Sequence, residues 1–160
     1  QSRVIDENPK STEERMNAWA ARMNREESLE LVALAQNPAE PVSARFLAVD
    51  LLFRSGQETA WESLAEIPLS YVVPAIQDPH HGTNWELALS SFVIDSLYRK
   101  SGKSIAAARA LKDVAERARD PKVTSRAARS LGALESQHPE ASPLSRDDAL
   151  LKSLLGVKES

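Results

Sequence analysis

The chain of 160 residues contains no cysteine, few aromatic residues and no long hydrophobic run. The absence of cysteine excludes a disulfide scaffold, a thiolate metal site and a cysteine nucleophile. No apolar run approaches the ~18 residues that a membrane-spanning helix needs. Aromatic residues make up only 5% of the chain, whereas alanine and leucine are abundant. That balance favours close-packed helices, because strands are enriched in β-branched and aromatic residues.

The rest of the composition is that of a globular protein. Apolar residues account for 42%, which argues against wholesale disorder, and the length suits one domain. The chain begins with Gln1 rather than methionine. We interpret this as removal of an upstream signal or anchor, which favours an extracytoplasmic location. An artificial boundary and a cytoplasmic protein are the alternatives.

An Asx-Pro pair recurs at a nearly constant spacing. Asn37-Pro38, Asp78-Pro79 and Asp120-Pro121 follow one another at intervals of 41 and 42 residues, each before an apolar helical pattern. A period of this size is typical of stacked helix pairs. The sequence therefore predicts an all-α protein built from repeats.

Helix start signals set the boundaries of these repeats. Ser11 with Glu14, and Asn24 with Glu27, have the spacing of capping boxes. We predict a lead-in at 1–10 and one helical-repeat domain at 11–156. The repeat units are 25–56, 57–102 and 103–134, and the capping helices are 11–23 and 145–155.

Some local features are predicted from single residues. Trp19 and Leu29 fall on apolar stripes and are expected to be buried. Pro68 is expected to end a helix at 57–66, because proline lacks a backbone donor. Gly56 is expected to end the helix before it in the left-handed conformation. Residues 135–144 contain two prolines and are expected to form a loop.

The third repeat resembles the second half of a HEAT repeat. The matching residues are Asp120, Pro121, Val123, Arg126, Ala127, Ala128, Leu131, Gly132 and Leu134. The resemblance is close over 120–134 and loose over 25–134. It implies a short right-handed α-solenoid of about seven to eight helices in antiparallel pairs. It also implies that the second helices, about 41–54, 84–99 and 122–134, line one face, and that Asp120 and Arg126 take part in a ladder between repeats.

Two groups of residues are candidates for chemistry. His80 and His81 are adjacent and lie near Asp78 and Glu86, so a metal-dependent enzyme is conceivable. However, no HExxH spacing, phosphate loop or nucleophile motif accompanies them. A polar turn is the simpler interpretation. We therefore expect a protein that is not an enzyme and needs no cofactor.

The region 97–130 concentrates positive charge, with 10 basic and 3 acidic side chains. Its candidate binding residues are Arg99, Lys100, Lys103 and Arg129. A nucleic-acid interface is one interpretation. Against it, Lys112 can pair with Glu116, and the sequence pI is about 5.7. Asp113 and Arg117 have the same spacing and can pair in the same way.

The tryptophans Trp19, Trp61 and Trp85 are expected to pack between helices, although one exposed tryptophan would suit a binding anchor. Trp85 is the best candidate, because it begins a helix after a long loop. The leading functional hypothesis is a protein-binding or scaffold module that uses its repeat surface. Homo-oligomerisation, for instance through a final helix rich in leucine, is also possible.

Overall fold

The computed structural model of the protein describes residues 11–73 and 84–137. All regular structure within these ranges is helical, which confirms the all-α prediction. The helices are α1 (Thr12–Ala21), α2 (Arg25–Gln36), α3 (Val42–Ser55), α4 (Glu58–Leu64), α5 (Glu66–Ser70), α6 (Trp85–Ser101), α7 (Ile105–Arg117) and α8 (Pro121–Gln137). None of the helices in these ranges is both long and apolar enough to cross a membrane.

Both predicted capping boxes are confirmed. Ser11 Oγ accepts from the backbone N–H of Glu14 at 3.1 Å, and the Glu14 carboxylate accepts from the Ser11 N–H at 3.1 Å. Asn24 and Glu27 exchange the same pair of bonds at 2.8 and 2.9 Å. These bonds satisfy N–H groups that have no partner within the helix. The sequence therefore set the beginnings of α1 and α2 by purely local chemistry.

The chain divides between Ala60 and Trp61 into two compact units. In the first unit, α3 packs against both α1 and α2. Its core consists mainly of small and aliphatic side chains, among them Ala20, Val32, Ala35, Val49 and Leu52. Abundant alanine lets helix axes approach closely, which is why this composition suits helical packing.

Arg45 lies inside this apolar core, where it is only 3% exposed. Its Nε donates to the backbone carbonyl of Ala35 at 2.9 Å. That carbonyl belongs to the last turn of α2, where no intrahelical donor remains. Arg45 on α3 thus satisfies the end of α2 and joins the two helices.

In the second unit, α6, α7 and α8 pack against one another, and α5 packs against α6 and α7. The buried apolar residues of the three long helices are Leu89, Val93, Ile94, Leu97, Ala107, Ala108, Ala110, Leu111, Val114, Val123, Ala127 and Leu134. They recur at the three- and four-residue spacing of an inward-facing helix stripe. This packing brings α6 beside α8, which positions the candidate sites below.

Four local predictions are wrong. Pro68 does not end a helix but lies in the first turn of α5, where a missing N–H costs nothing. Trp19 and Leu29 are exposed rather than buried. Helix α8 continues to Gln137, so residues 135–137 are helical rather than part of a loop. For Trp19 and Leu29, the local rule could not indicate which side of the helix the neighbouring helices would cover.

Candidate functional site

Apolar side chains are exposed on both sides of the segment 74–83. The Asn84 amide donates from Nδ2 to the Tyr71 hydroxyl at 2.6 Å, which joins residues from the two sides of this segment. Val72 and Val73 directly follow Tyr71 and are 49% and 47% exposed, and Trp85 directly follows Asn84 and is 55% exposed. We call Val72, Val73 and Trp85 the loop-base patch.

The side-chain amide of Asn84 forms hydrogen bonds through both its nitrogen and its oxygen. While Nδ2 bonds to Tyr71, the Oδ1 atom accepts from the backbone N–H of Leu87 at 3.0 Å and caps α6. Asn84 is thus the N-cap of α6. Since Trp85 is the first residue of the capped helix, its backbone is fixed relative to Tyr71. Its position was predicted as a binding anchor, and that role stays a prediction.

A second, polar feature lies between α6 and α8. An open groove of about 260 Å³ is lined by Asp95, Tyr98, Arg126, Arg129, Ser130 and Ala133. The first two residues are one helical turn apart on α6, and the others form a stripe along α8. We call this the α6–α8 groove.

The two walls of the groove are joined by an ion pair. Arg126 donates from Nε to Asp95 Oδ1 at 3.3 Å and from Nη2 to Asp95 Oδ2 at 2.9 Å. At the side, Gln137 Nε2 donates to the Tyr98 hydroxyl at 2.9 Å. These bonds give the groove a defined shape, since a bidentate arginine–carboxylate pair is geometrically specific.

This ion pair differs from the ladder that the HEAT resemblance implied. Arg126 meets Asp95 on α6, whereas Asp120 acts as a cap for α8. The Asp120 carboxylate, which is buried, accepts from the backbone N–H groups of Lys122 at 2.8 Å and Val123 at 3.4 Å. The six-residue spacing identified an arginine that bonds to another helix, but not its partner, which lies on α6.

The basic candidates lie in different surroundings. Lys100 lies with Nζ 5.7 Å from the ring centroid of Trp61, which is buried as predicted, so its charge faces an indole. Arg99 and Lys103 are exposed and do not line the groove, whereas Arg129 does.

The predicted helical ion pairs account for further charges of this region. Lys112 Nζ lies 3.4 Å from a Glu116 oxygen, and Arg117 Nη1 lies 2.9 Å from Asp113 Oδ1. Both pairs are confirmed. They involve two of the three basic residues of α7.

The metal hypothesis falls outside the residues that the structure describes. His80, His81 and the Asp78-Pro79 turn lie outside them, as do the lead-in at 1–10 and the capping helix at 145–155. Across 11–73 and 84–137, no cluster of carboxylates and imidazoles could hold a metal ion. That statement does not extend to the histidine pair.

Comparison of the chain with protein-family models, with curated proteins and with solved structures found no match. The HEAT-like resemblance therefore stays a prediction. Function has to be inferred from the loop-base patch and the α6–α8 groove alone.

Sequence reasoning did not predict most of these residues. It named Trp85 and Arg129, but it did not select Val72, Val73, Asp95 or Tyr98. A signal was available, since Asp95 and Tyr98 are three residues apart, as are Arg126 and Arg129, and both pairs fall on predicted helices. What the pattern could not indicate is that these two stripes face each other.

Proposed function

We propose that this chain is a non-enzymatic protein-binding module built from HEAT-like helix pairs. The observation that carries the proposal is the loop-base patch, in which Trp85 is 55% exposed beside two exposed valines. Scattered apolar residues are normal on a surface, but tryptophan is enriched among the residues that contribute most of the binding energy of an interface.

The physical argument rests on the energy of covering this patch. Each Å² of apolar surface removed from water contributes ~25 cal/mol, and an indole offers the largest such area of any side chain. Its N–H can also bond to a partner. Because the cap of Asn84 fixes the backbone next to Trp85, little backbone ordering remains to oppose binding.

The repeat architecture is the finer part of the proposal. Its motivation is the Asx-Pro period together with the packing of α2 on α3 and of α7 on α8 across the turns at Asn37 and Asp120. In such a protein the patch would supply the anchor, and the surrounding helix surfaces would supply the spread contacts that repeat proteins use.

The test compares two tryptophan variants in affinity capture from the native source. Trp85→Ala should lose one or more proteins that the wild type retains, because the anchor is removed. Trp19→Ala is the matched control, since Trp19 is also exposed (41%) but lies on α1. It should retain the wild-type set. Circular dichroism would verify that both variants keep their helices.

Two results would contradict the proposal. One is that the wild type retains no protein. The other is that both variants retain the same proteins as the wild type. Either result would remove Trp85 as an anchor.

A further inference from the structure

The α6–α8 groove contains more hydrogen-bond donors than its own acceptor can satisfy. A guanidinium carries five N–H donors. The bonds of Arg126 to Asp95 use only Nε and Nη2, so Nη1 forms no hydrogen bond to a residue in 11–73 or 84–137. Arg129 is exposed one turn further along α8 and makes no ion pair with that part of the chain.

Tyr98 adds a neutral donor to this set. Its hydroxyl accepts from Gln137 Nε2, so the hydroxyl hydrogen is directed elsewhere and can be donated to another acceptor. The Ser130 hydroxyl lines the same groove. Two guanidinium groups, two hydroxyls and a single carboxylate that is already paired therefore surround the open space.

We propose that the α6–α8 groove binds an aspartate or glutamate side chain of an acidic protein segment. The lining has a net charge of +1, and a planar carboxylate matches the fork of Nη1 of Arg126 and the guanidinium of Arg129. Ala133 is small and leaves space for the incoming side chain. This site goes beyond the loop-base patch, because Tyr98 lies 13 residues, or about 20 Å of helix, from Trp85.

A protein carboxylate fits the groove better than a nucleic-acid backbone. A duplex presents closely spaced phosphates that require several cations in a row. Here Asp95 sits in the groove and would repel neighbouring phosphates, and Lys112 and Arg117 are already paired on α7. A single anionic side chain needs only the local charge that the groove provides.

Partial exposure limits the strength of this site. The side chains of Arg126 and Asp95 are 40% and 44% exposed, so water and salt screen the interaction. We therefore expect weak binding that falls as the ionic strength rises from about 25 mM to about 200 mM.

The experiment measures binding of the full chain to a fluorescein-labelled Gly/Ser peptide that carries four glutamates, by fluorescence anisotropy. The control peptide has glutamine in place of each glutamate. The wild type should bind only the glutamate peptide. Arg129→Gln should weaken binding by about tenfold, equivalent to about 1.4 kcal/mol. Arg99→Gln removes the same charge from an exposed position outside the groove. It should change the affinity less than about twofold, because salt screens a charge that lies far from the bound carboxylate.

A second pair of variants separates a shaped site from general electrostatics. Ala133→Leu fills the groove without altering charge and should weaken binding, whereas Ala128→Leu, at an exposed position of α8 outside the groove, should not. Helical circular dichroism would verify that every variant folds. Tyr98→Phe should weaken binding by a smaller factor, since one neutral donor is lost.

Several outcomes would overturn the inference. They are equal binding of both peptides, equal loss in the two arginine variants, no effect of Ala133→Leu, or tighter Arg129-dependent binding of a labelled DNA duplex than of the peptide. None of them bears on Trp85. Failure of this inference is therefore distinguishable from failure of the proposed function, which the Trp85→Ala capture tests.

Discussion

Arg45 and Arg54 both lie on α3, but they meet different partners. Arg45 is buried and donates to a helix-end carbonyl, whereas Arg54 lies nearer the surface and joins α3 to α1. Arg54 donates to both carboxylate oxygens of Glu13, at 2.7 and 2.9 Å, and to Asp50 at 3.0 Å. Hydrogen bonds from Arg54, and then its charge, hold the pKa of Glu13 below the ordinary value of 4.5. The same carboxylates raise the pKa of Arg54.

The Glu13–Arg54 pair predicts a pH dependence of stability. Because the pKa of Glu13 is lower in the folded protein, its contribution is present above the unfolded value and is lost as pH falls through the folded value. We expect the Glu13→Gln variant to be less stable than the wild type at neutral pH. The difference should shrink between about pH 5 and pH 3. Urea unfolding midpoints across this range would measure it.

Glu30→Gln provides the control for this pH series, since Glu30 is exposed on α2 and makes no contact with Arg54. Its midpoints should run parallel to those of the wild type. A constant difference between Glu13→Gln and the wild type from pH 7 to pH 3 would contradict the prediction. Because Glu13 is fully exposed, the effect should also diminish with added salt.

At the scale of the helix, the ends are set by residues that satisfy backbone groups. Gly56 ends α3 with a φ of 73°, as predicted from its position after the last apolar residue. Gly102 follows α6 in a similar sequence context, yet its φ is −70° and it stays right-handed. After α6, the N–H groups of Lys103 and Ser104 both bond to the carbonyl of Lys100. The two glycines therefore look alike in sequence and end their helices differently.

Two glycine substitutions should have opposite effects. Gly56→Ala forces a side chain into the left-handed region and should cost about 1 kcal/mol of unfolding free energy. Gly132→Ala lies inside α8, where an added Cβ meets nothing within 4 Å. It should stabilise the protein by about 0.5–1 kcal/mol through helix propensity. Chemical denaturation would measure both, and two shifts of the same sign would contradict this assignment.

At the scale of the whole molecule, the charge distribution is uneven, and ion pairs compensate part of its positive charge. The region 97–130 is strongly basic, while the complete chain has a formal net charge of −3. Ion pairs within α7 and between α6 and α8 use part of the positive charge. The basic residues that stand in these pairs are therefore less available to contact phosphates.

This compensation predicts weak or absent binding of duplex DNA. At about 50 mM salt, where phosphate contacts are favoured, we expect no saturable binding of a labelled duplex. Fluorescence anisotropy over a salt series would measure it. A steep linear dependence of the logarithm of the affinity on the logarithm of the salt concentration would contradict the prediction and restore the nucleic-acid hypothesis.

Features that depend on residues close together in the sequence could be predicted, whereas features that depend on how helices pack could not. Capping boxes, the helix end at Gly56 and the ion pairs Lys112–Glu116 and Asp113–Arg117 depend on residues three or four positions apart, so local spacing was sufficient. Exposure of Trp19 and Leu29 was not predictable, because an apolar stripe indicates which residues can be buried but not how wide a face its neighbours cover.

By itself, the sequence determined the all-helical class and most helix boundaries. It also singled out Trp85 as the candidate binding anchor. These follow from composition, capping chemistry and periodicity, all of which act within a few residues. Only the tertiary structure decided that Arg126 meets Asp95 rather than Asp120, and that Tyr71 bonds to Asn84. The physical reason is that such contacts depend on how whole helices pack, and helix packing is a sum over many weak contacts that no local pattern specifies.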